Sequence, residues 1–214
     1  MIFWEKILWE GESPYNGKIK VKESKGIRRL VAQGYTQSMT LDDVGKTDHY
    51  WDRFRDNLPK ISANSNVLIL GLGGGTIAKI LTNKYDSLKI KGVEIDPVIV
   101  ELGKKYFYLD ERIDITVEDA GTYIGKDSSK YNVICVDLFF RDKASDLLNN
   151  GKFLTQVRDH LKDKGIVIIN RICRNVSEDN QFVEDMKKIF KTIKVKRERG
   201  KKYEQNVIFY GRTQ

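Results

Sequence analysis

Val67-Leu-Ile-Leu-Gly71-Leu-Gly73-Gly74-Gly75-Thr76-Ile-Ala-Lys-Ile-Leu81 decides the fold of this chain. An apolar run ends in four glycines within five positions, and an apolar-periodic segment follows at once. The pattern reads as buried strand, tight turn and helix. Glycines let backbone approach a ligand that side chains would hold off. The helix behind them aims its unpaired N–H groups and positive dipole end at the same place. Two readings stand: a nucleotide or nucleoside site, or a tight strand-to-helix turn of any α/β protein.

The next strand favours the first. Lys89-Ile-Lys-Gly-Val93-Glu94-Ile95-Asp96-Pro97 is apolar and ends in an acid. Glu94 follows the glycine turn by about the ~20 residues that separate such a loop from a ribose-binding carboxylate. A carboxylate accepts both hydrogen bonds of a vicinal diol. Pro97 suits the first turn of a helix, and Asp96 suits its cap.

Further outward, Arg112-Ile-Asp-Ile-Thr-Val117 is a third strand, followed by Glu118-Asp119-Ala120. Tyr131-Asn-Val-Ile-Cys-Val136-Asp137 is a fourth, and Gly165-Ile-Val-Ile-Ile169-Asn170 a fifth. Helices are expected from Pro97 to about Tyr106, from about Lys152 to Leu161 and from Glu178 to Phe190. Ile193-Lys-Val-Lys and Asn206-Val-Ile-Phe-Tyr210 close the chain as two strands joined by a basic turn. Alternating strands and helices predict a mostly parallel sheet with helices on both faces. Such a sheet binds ligands at the carboxyl ends of its strands. Those ends hold Gly71–Gly75, Glu94, Asp119 and Asp137. Asp119 could accept a hydrogen bond from an adenine amino group. Asp137 could bind an amine or act as general base, or merely cap a turn.

Residues 1–46 differ from the rest. Short alternating segments separated by Ser13-Pro14, Asn16-Gly17 and Gly34 predict a β-hairpin appendage to a main domain over 47–214. Between them, Asp48 to Leu58 reads as a helix capped by Thr47 or Asp48.

The 214 residues suit one α/β domain with an appendage. No run approaches the ~20 apolar residues of a membrane span, and Met1-Ile-Phe-Trp-Glu-Lys lacks a secretory signal's character. Cys135 and Cys173 lie in apolar strands, as reduced core residues of a cytoplasmic protein would. No cysteine or histidine spacing matches a metal site. The net charge of +8 invites a nucleic-acid reading. Yet the basic stretch Lys191–Lys202 lacks interleaved aromatics, which argues against that partner and for a charge-protected sheet edge. Exposed hairpin edges admit a homodimer.

Several segments together resemble the spermidine synthase-like (polyamine aminopropyltransferase-like) branch of S-adenosylmethionine-dependent methyltransferases. Glu12-Ser13-Pro14-Tyr15-Asn16-Gly17-Lys18-Ile19-Lys20-Val21 is similar to the family's opening Glu-Ser-x-Tyr-x-x-Ile-x-Val hairpin. Gln37-Ser38 resembles the glutamine of its second hairpin, and Tyr50-Trp51-Asp52 its Tyr-His-Glu segment. Val93-Glu94-Ile95-Asp96, Glu118-Asp119-Ala120 and Tyr131 to Asp137 resemble further family segments in the same order. The resemblance implies a class I methyltransferase-like (Rossmann-like) seven-stranded sheet. It implies S-adenosylmethionine or its decarboxylated form as cofactor, with no metal. Gly71, Gly73, Gly74, Gly75, Glu94, Ile95, Asp119 and Ala120 would hold the cofactor, and Asp137 would be catalytic. Gln37, Tyr50 and Asp142 would contact a small-molecule acceptor.

The chain departs from the aminopropyltransferase pattern twice. Gly74 stands where the loop acid belongs, and Phe140 replaces the second acid after strand four, with Asp142 as a substitute nearby. A polyamine needs carboxylates for binding and for deprotonation. Methyl transfer is therefore the first expectation, aminopropyl transfer to a polyamine the second, and a non-catalytic nucleoside-binding module the third.

Overall fold

The computed structural model describes residues 4–56, 58, 61–140, 143–144, 146–173, 176–198 and 205–213. Its central element is a seven-stranded sheet of order β12-β13-β11-β8-β5-β6-β7. These are β5 (Asn66–Leu70), β6 (Lys89–Glu94), β7 (Asp114–Val117), β8 (Tyr131–Val136), β11 (Leu161–Cys173), β12 (Thr192–Glu198) and β13 (Gln205–Arg212). The run from β11 through β7 is parallel. β13 inserts antiparallel between β11 and β12. This is the expected class I methyltransferase-like arrangement.

The strands alternate their buried side chains between two cores, as a period of two demands when both sheet faces are covered. Leu68, Leu70, Ile134, Val136, Val167 and Ile169 face α4 (Ala120–Lys126), α5 (Gly151–Asp159) and α6 (Val176–Ile189). Val67, Ile69, Val133, Cys135, Ile166 and Ile168 face α2 (Thr76–Lys84) together with Trp51 and Phe54.

Residues before the main sheet form a separate four-stranded antiparallel sheet, β1 (Lys6–Ser13), β2 (Gly17–Ser24), β3 (Ile27–Ala32) and β4 (Tyr35–Met39). Its Ile19, Val21, Leu30 and Ala32 pack on Ile99, Leu102 and Phe107, on and just past α3 (Pro97–Tyr106). A third core thus joins the small sheet to the large one.

The helix expected over Asp48–Leu58 is shorter than its apolar spacing suggests. A 3₁₀ turn covers Tyr50–Asp52 and α1 only Arg53–Asp56. The cause is Asp52. Its carboxylate turns back to accept the amides of Thr47 and Asp48 and the Thr47 hydroxyl, at 3.0 Å for the shortest of each. These bonds tie down the entry and leave neither Thr47 nor Asp48 as a conventional cap. The short strands β9 (Phe139–Phe140) and β10 (Lys143–Ala144) were not expected either. Too few residues lie in each to carry a periodic signal.

Candidate active site at the carboxyl edge of the sheet

A cavity of about 480 Å³ opens at the carboxyl ends of β5, β6 and β8. That volume lies within the ~300–1,000 Å³ typical of small-molecule sites. Gly71 must be glycine here. Its φ is +83°, and a Cβ would lie 2.3 Å from the Asp137 carbonyl oxygen. The absent side chain lets the ends of β5 and β8 meet at the cavity floor.

The amides of the turn already have acceptors. The Gly73 N–H donates to Glu94 Oε2 at 2.8 Å, and the Gly74 N–H to Ser38 Oγ at 2.7 Å. The Gly75 N–H donates to the Leu72 carbonyl at 3.1 Å. A phosphate cradle needs such amides free, so this turn suits a ligand held by close backbone contact. Ser38 explains the departure at Gly74. A Cβ there would meet the Ser38 Cβ at 3.0 Å and its Oγ at 3.1 Å. Strand β4 therefore fills the space into which a side chain at position 74 would project.

Glu94 ends β6 as a buried residue. Its Oε1 accepts the Asp96 N–H at 3.1 Å and its Oε2 the Gly73 N–H. Burial raises its pKa, and the backbone donors pull the other way. Each carboxylate oxygen keeps a second lone pair, so a diol in the cavity finds an acceptor already oriented. Asp119 caps α4 by accepting the Thr122 N–H at 2.8 Å through Oδ1.

Asp137, at the end of β8, is half-buried and open to the cavity. Its Oδ1 accepts Asn170 Nδ2 at 2.9 Å, and its Oδ2 accepts the Trp51 indole N–H at 3.0 Å. The Tyr50 hydroxyl reaches both oxygens, at 3.3 and 3.2 Å. Desolvation pushes the Asp137 carboxyl up to about 6, against the lowering effect of these donors. The same burial and the neighbouring carboxylate raise Tyr50 well above its ordinary value, so the phenol stays a donor. The arrangement gives an aligned carboxylate that exchanges a proton near neutral pH, as a general base requires.

The cavity is bordered by Gln37, Tyr50, Gly71, Gly73, Glu94, Ile95, Asp119, Ala120 and Asp137 among the residues singled out from the sequence. Gly74 and Gly75 do not border it. They carry the contacts of the turn with Ser38 and Leu109 instead. Asp142 lies outside the described residues. Sequence reasoning missed the roles of Ser38, Trp51 and Asn170. Asn170 had a usable signal: it closes the fifth strand expected from the sequence as Asp137 closes the fourth, although β11 runs on to Cys173. Trp51 adjoins Tyr50, but nothing in its spacing says that its indole turns toward Asp137. Among the described residues no three His, Cys, Asp or Glu side chains converge as a metal site.

Comparison with known proteins bears on the family and the fold. A probable polyamine aminopropyl transferase of Bifidobacterium longum (strain NCC 2705) is 34% identical over 182 residues, which cover 84% of this chain and 40% of that protein. The chain thus spans about two fifths of that curated relative's length. A probable spermidine synthase from Corynebacterium glutamicum ATCC 13032 shares the fold, with a TM-score of 0.85 at 17% identity over 98% of this chain and 81% of that one. Human methyltransferase-like protein 13, solved in complex with SAH, shares it less closely, with a TM-score of 0.60 at 23% identity over 70% of this chain and 71% of that one. The family model described as the spermine/spermidine synthase domain matches residues 56–210, and the chain belongs to that family.

Proposed function

We propose that this protein transfers the aminopropyl group of decarboxylated S-adenosylmethionine to an amine acceptor such as a polyamine. The observation that carries the reading is the Asp137 carboxylate. It faces the same cavity as Glu94 and the glycine turn, and it titrates near 6. An amine attacks only through its free lone pair, so an acceptor that arrives protonated must first lose a proton. Asp137 is the group placed to take it. The amine nitrogen then bonds to the carbon beside the sulfonium, the carbon–sulfur bond breaks, and the electron pair stays on sulfur in methylthioadenosine. The protein supplies in-line positioning and a site shielded from water. In this reading residues 1–46 form an appendage walling the acceptor side through Gln37, and 47–214 form the transferase body. Glu94 holds the ribose and Asp119 the adenine edge. The turn holds the nucleoside by backbone contact, consistent with a donor that lacks phosphate. The name of the Bifidobacterium relative favours this reaction over the methyl transfer expected first.

Methyl transfer from S-adenosylmethionine is the second reading. It is favoured by Gly74, where the loop acid of the aminopropyltransferase pattern is absent and Ser38 takes the space. A nucleoside-binding module without chemistry is the third. One experiment separates them. The protein is incubated with each sulfonium and an amine panel that includes putrescine and spermidine. Methylthioadenosine released only with the decarboxylated donor and an amine supports the proposal. S-adenosylhomocysteine from the carboxylated donor overturns it in favour of methyl transfer. Tight nucleoside binding with neither product favours the module.

A further inference from the structure

The Asp96 carboxylate is fully enclosed, with none of the residue exposed. Capping α3 takes one of its oxygens: Oδ1 accepts the Val98 N–H at 2.9 Å. The other oxygen turns away from the helix. Oδ2 accepts the Ser13 hydroxyl and the Asn16 side-chain amide, the latter at 2.6 Å. Both partners belong to the turn between β1 and β2, about 80 positions away in sequence. Ser13 Oγ in its turn accepts the amides of Tyr15 and Asn16, each at 3.1 Å, so the turn is wound around that hydroxyl.

The bonds continue inward. The Asp96 N–H donates to Glu94 Oε1, and Glu94 Oε2 accepts the Gly73 N–H. A continuous hydrogen-bonded chain therefore runs from the β1–β2 turn through Asp96 and Glu94 to the glycine turn. Tyr15 and Asn16, at its outer end, border the cavity, as do Glu94 and Gly73 at its inner end. A carboxylate suits position 96 because the groups bonded to its two oxygens are all donors, and an ionised acceptor makes the stronger bonds.

We propose that Asp96 is a positioning residue that latches the Ser13–Asn16 turn over the nucleoside half of the cavity, so that affinity for the nucleoside depends on the latch. The proposal rests on the nucleoside-binding reading of that cavity. Helix capping and latching are separable. Asp96→Asn keeps a cap oxygen, since asparagine caps as well as aspartate, but presents an NH2 group to the NH2 group of Asn16. Asn16→Ala breaks the latch from the other side.

The test measures binding of methylthioadenosine and S-adenosylhomocysteine by calorimetry to wild type, Asp96→Asn, Asn16→Ala and the double variant. Hydrogen exchange and thermal unfolding are followed in parallel. Each single variant should lose about tenfold in affinity for the nucleoside that wild type prefers, the scale of one lost charge-assisted bond. The double variant should be no weaker than either single one, because both changes undo one contact. Exchange at the Tyr15 and Asn16 amides should quicken while the β5 and β6 amides hold. Ser13→Thr, which retains the hydroxyl, should bind like wild type. Unchanged affinity in the single variants, or losses that add in the double, overturns the latch while leaving the function intact. A wild type that binds neither nucleoside overturns the function itself.

Discussion

Two carboxylates near the cavity differ in what they do for the fold. Asp137 titrates at about 6 rather than 3.8. The folded value is the higher, so folding takes up a proton between the two. The stability this group contributes is present below pH 3.8 and is lost as pH rises through about 6. Asp137→Asn relieves that cost, up to roughly 3 kcal/mol at about 1.4 kcal/mol per pKa unit. Part of the gain is offset because asparagine offers one acceptor oxygen to the donors of Tyr50, Trp51 and Asn170. Thermal melts should place the variant at or above wild type at neutral pH, with its advantage gone near pH ~4. Its transfer rate should fall on the order of 10²–10⁴-fold, the usual contribution of a general base. In wild type, the pH–rate profile should rise through about 6 as Asp137 ionises. A flat profile there would remove Asp137 from the proton transfer. Glu94, whose pKa burial also raises, differs in accepting backbone amides. Glu94→Ala orphans the amides of Gly73 and Asp96, at roughly 1–3 kcal/mol for the buried one at Asp96 and less for Gly73, which borders the cavity. Its melting temperature should fall by several degrees and its nucleoside affinity should fall with it. A variant that melts like wild type would mean that water replaces the lost acceptor.

Among the elements, the glycine turn is the least tolerant of change. A Cβ at Gly71 would strike backbone of the residue whose side chain is the proposed base, and φ is +83° besides. Gly71→Ala should unfold the protein at lower denaturant concentration and, where it folds, should cut transfer more than binding, because the shift falls on the end of β8. Equal losses of both would place the damage elsewhere. This turn was legible from the sequence because four glycines so close together serve neither a strand nor a helix interior, where each would cost stability. The long strands were legible too, since Val67–Leu70, Val133–Val136 and Gly165–Ile169 are continuous apolar runs of strand length. Asp48–Leu58 misled for a physical reason. Trp51, Phe54 and Leu58 keep helical spacing, yet Asp52 spends its carboxylate on the backbone of Thr47 and Asp48 and holds the entry to a 3₁₀ turn. Periodicity records which side chains are apolar, not where a carboxylate finds its donors. Trp51 and Ser38 were illegible for a related reason: their partners lie on other elements and meet them only in the folded chain.

At the scale of the molecule, the small sheet and the large one act as one unit through the core around Ile19, Val21, Leu30, Ile99, Leu102 and Phe107. Ser38 and Met39 carry that union to the glycine turn, where the Met39 N–H donates to Thr76 Oγ1 at 2.9 Å and the Thr76 hydroxyl donates to the Met39 carbonyl at 3.0 Å. A chain truncated before residue 47 would bare the apolar face of α3 and leave the Gly74 amide unpartnered. It should be recovered mainly as aggregate, and its soluble fraction should bind a hydrophobic dye; a monodisperse, nucleoside-binding product would show instead that the small sheet is dispensable. One further consequence follows from the indole bonded to Asp137. Of the tryptophans, Trp4 is 87% exposed, Trp9 is half-buried and Trp51 is 2% exposed. The blue edge of the emission spectrum therefore belongs to Trp51, and the protein carries its own optical gauge of the charge on the neighbouring carboxylate, readable without any label.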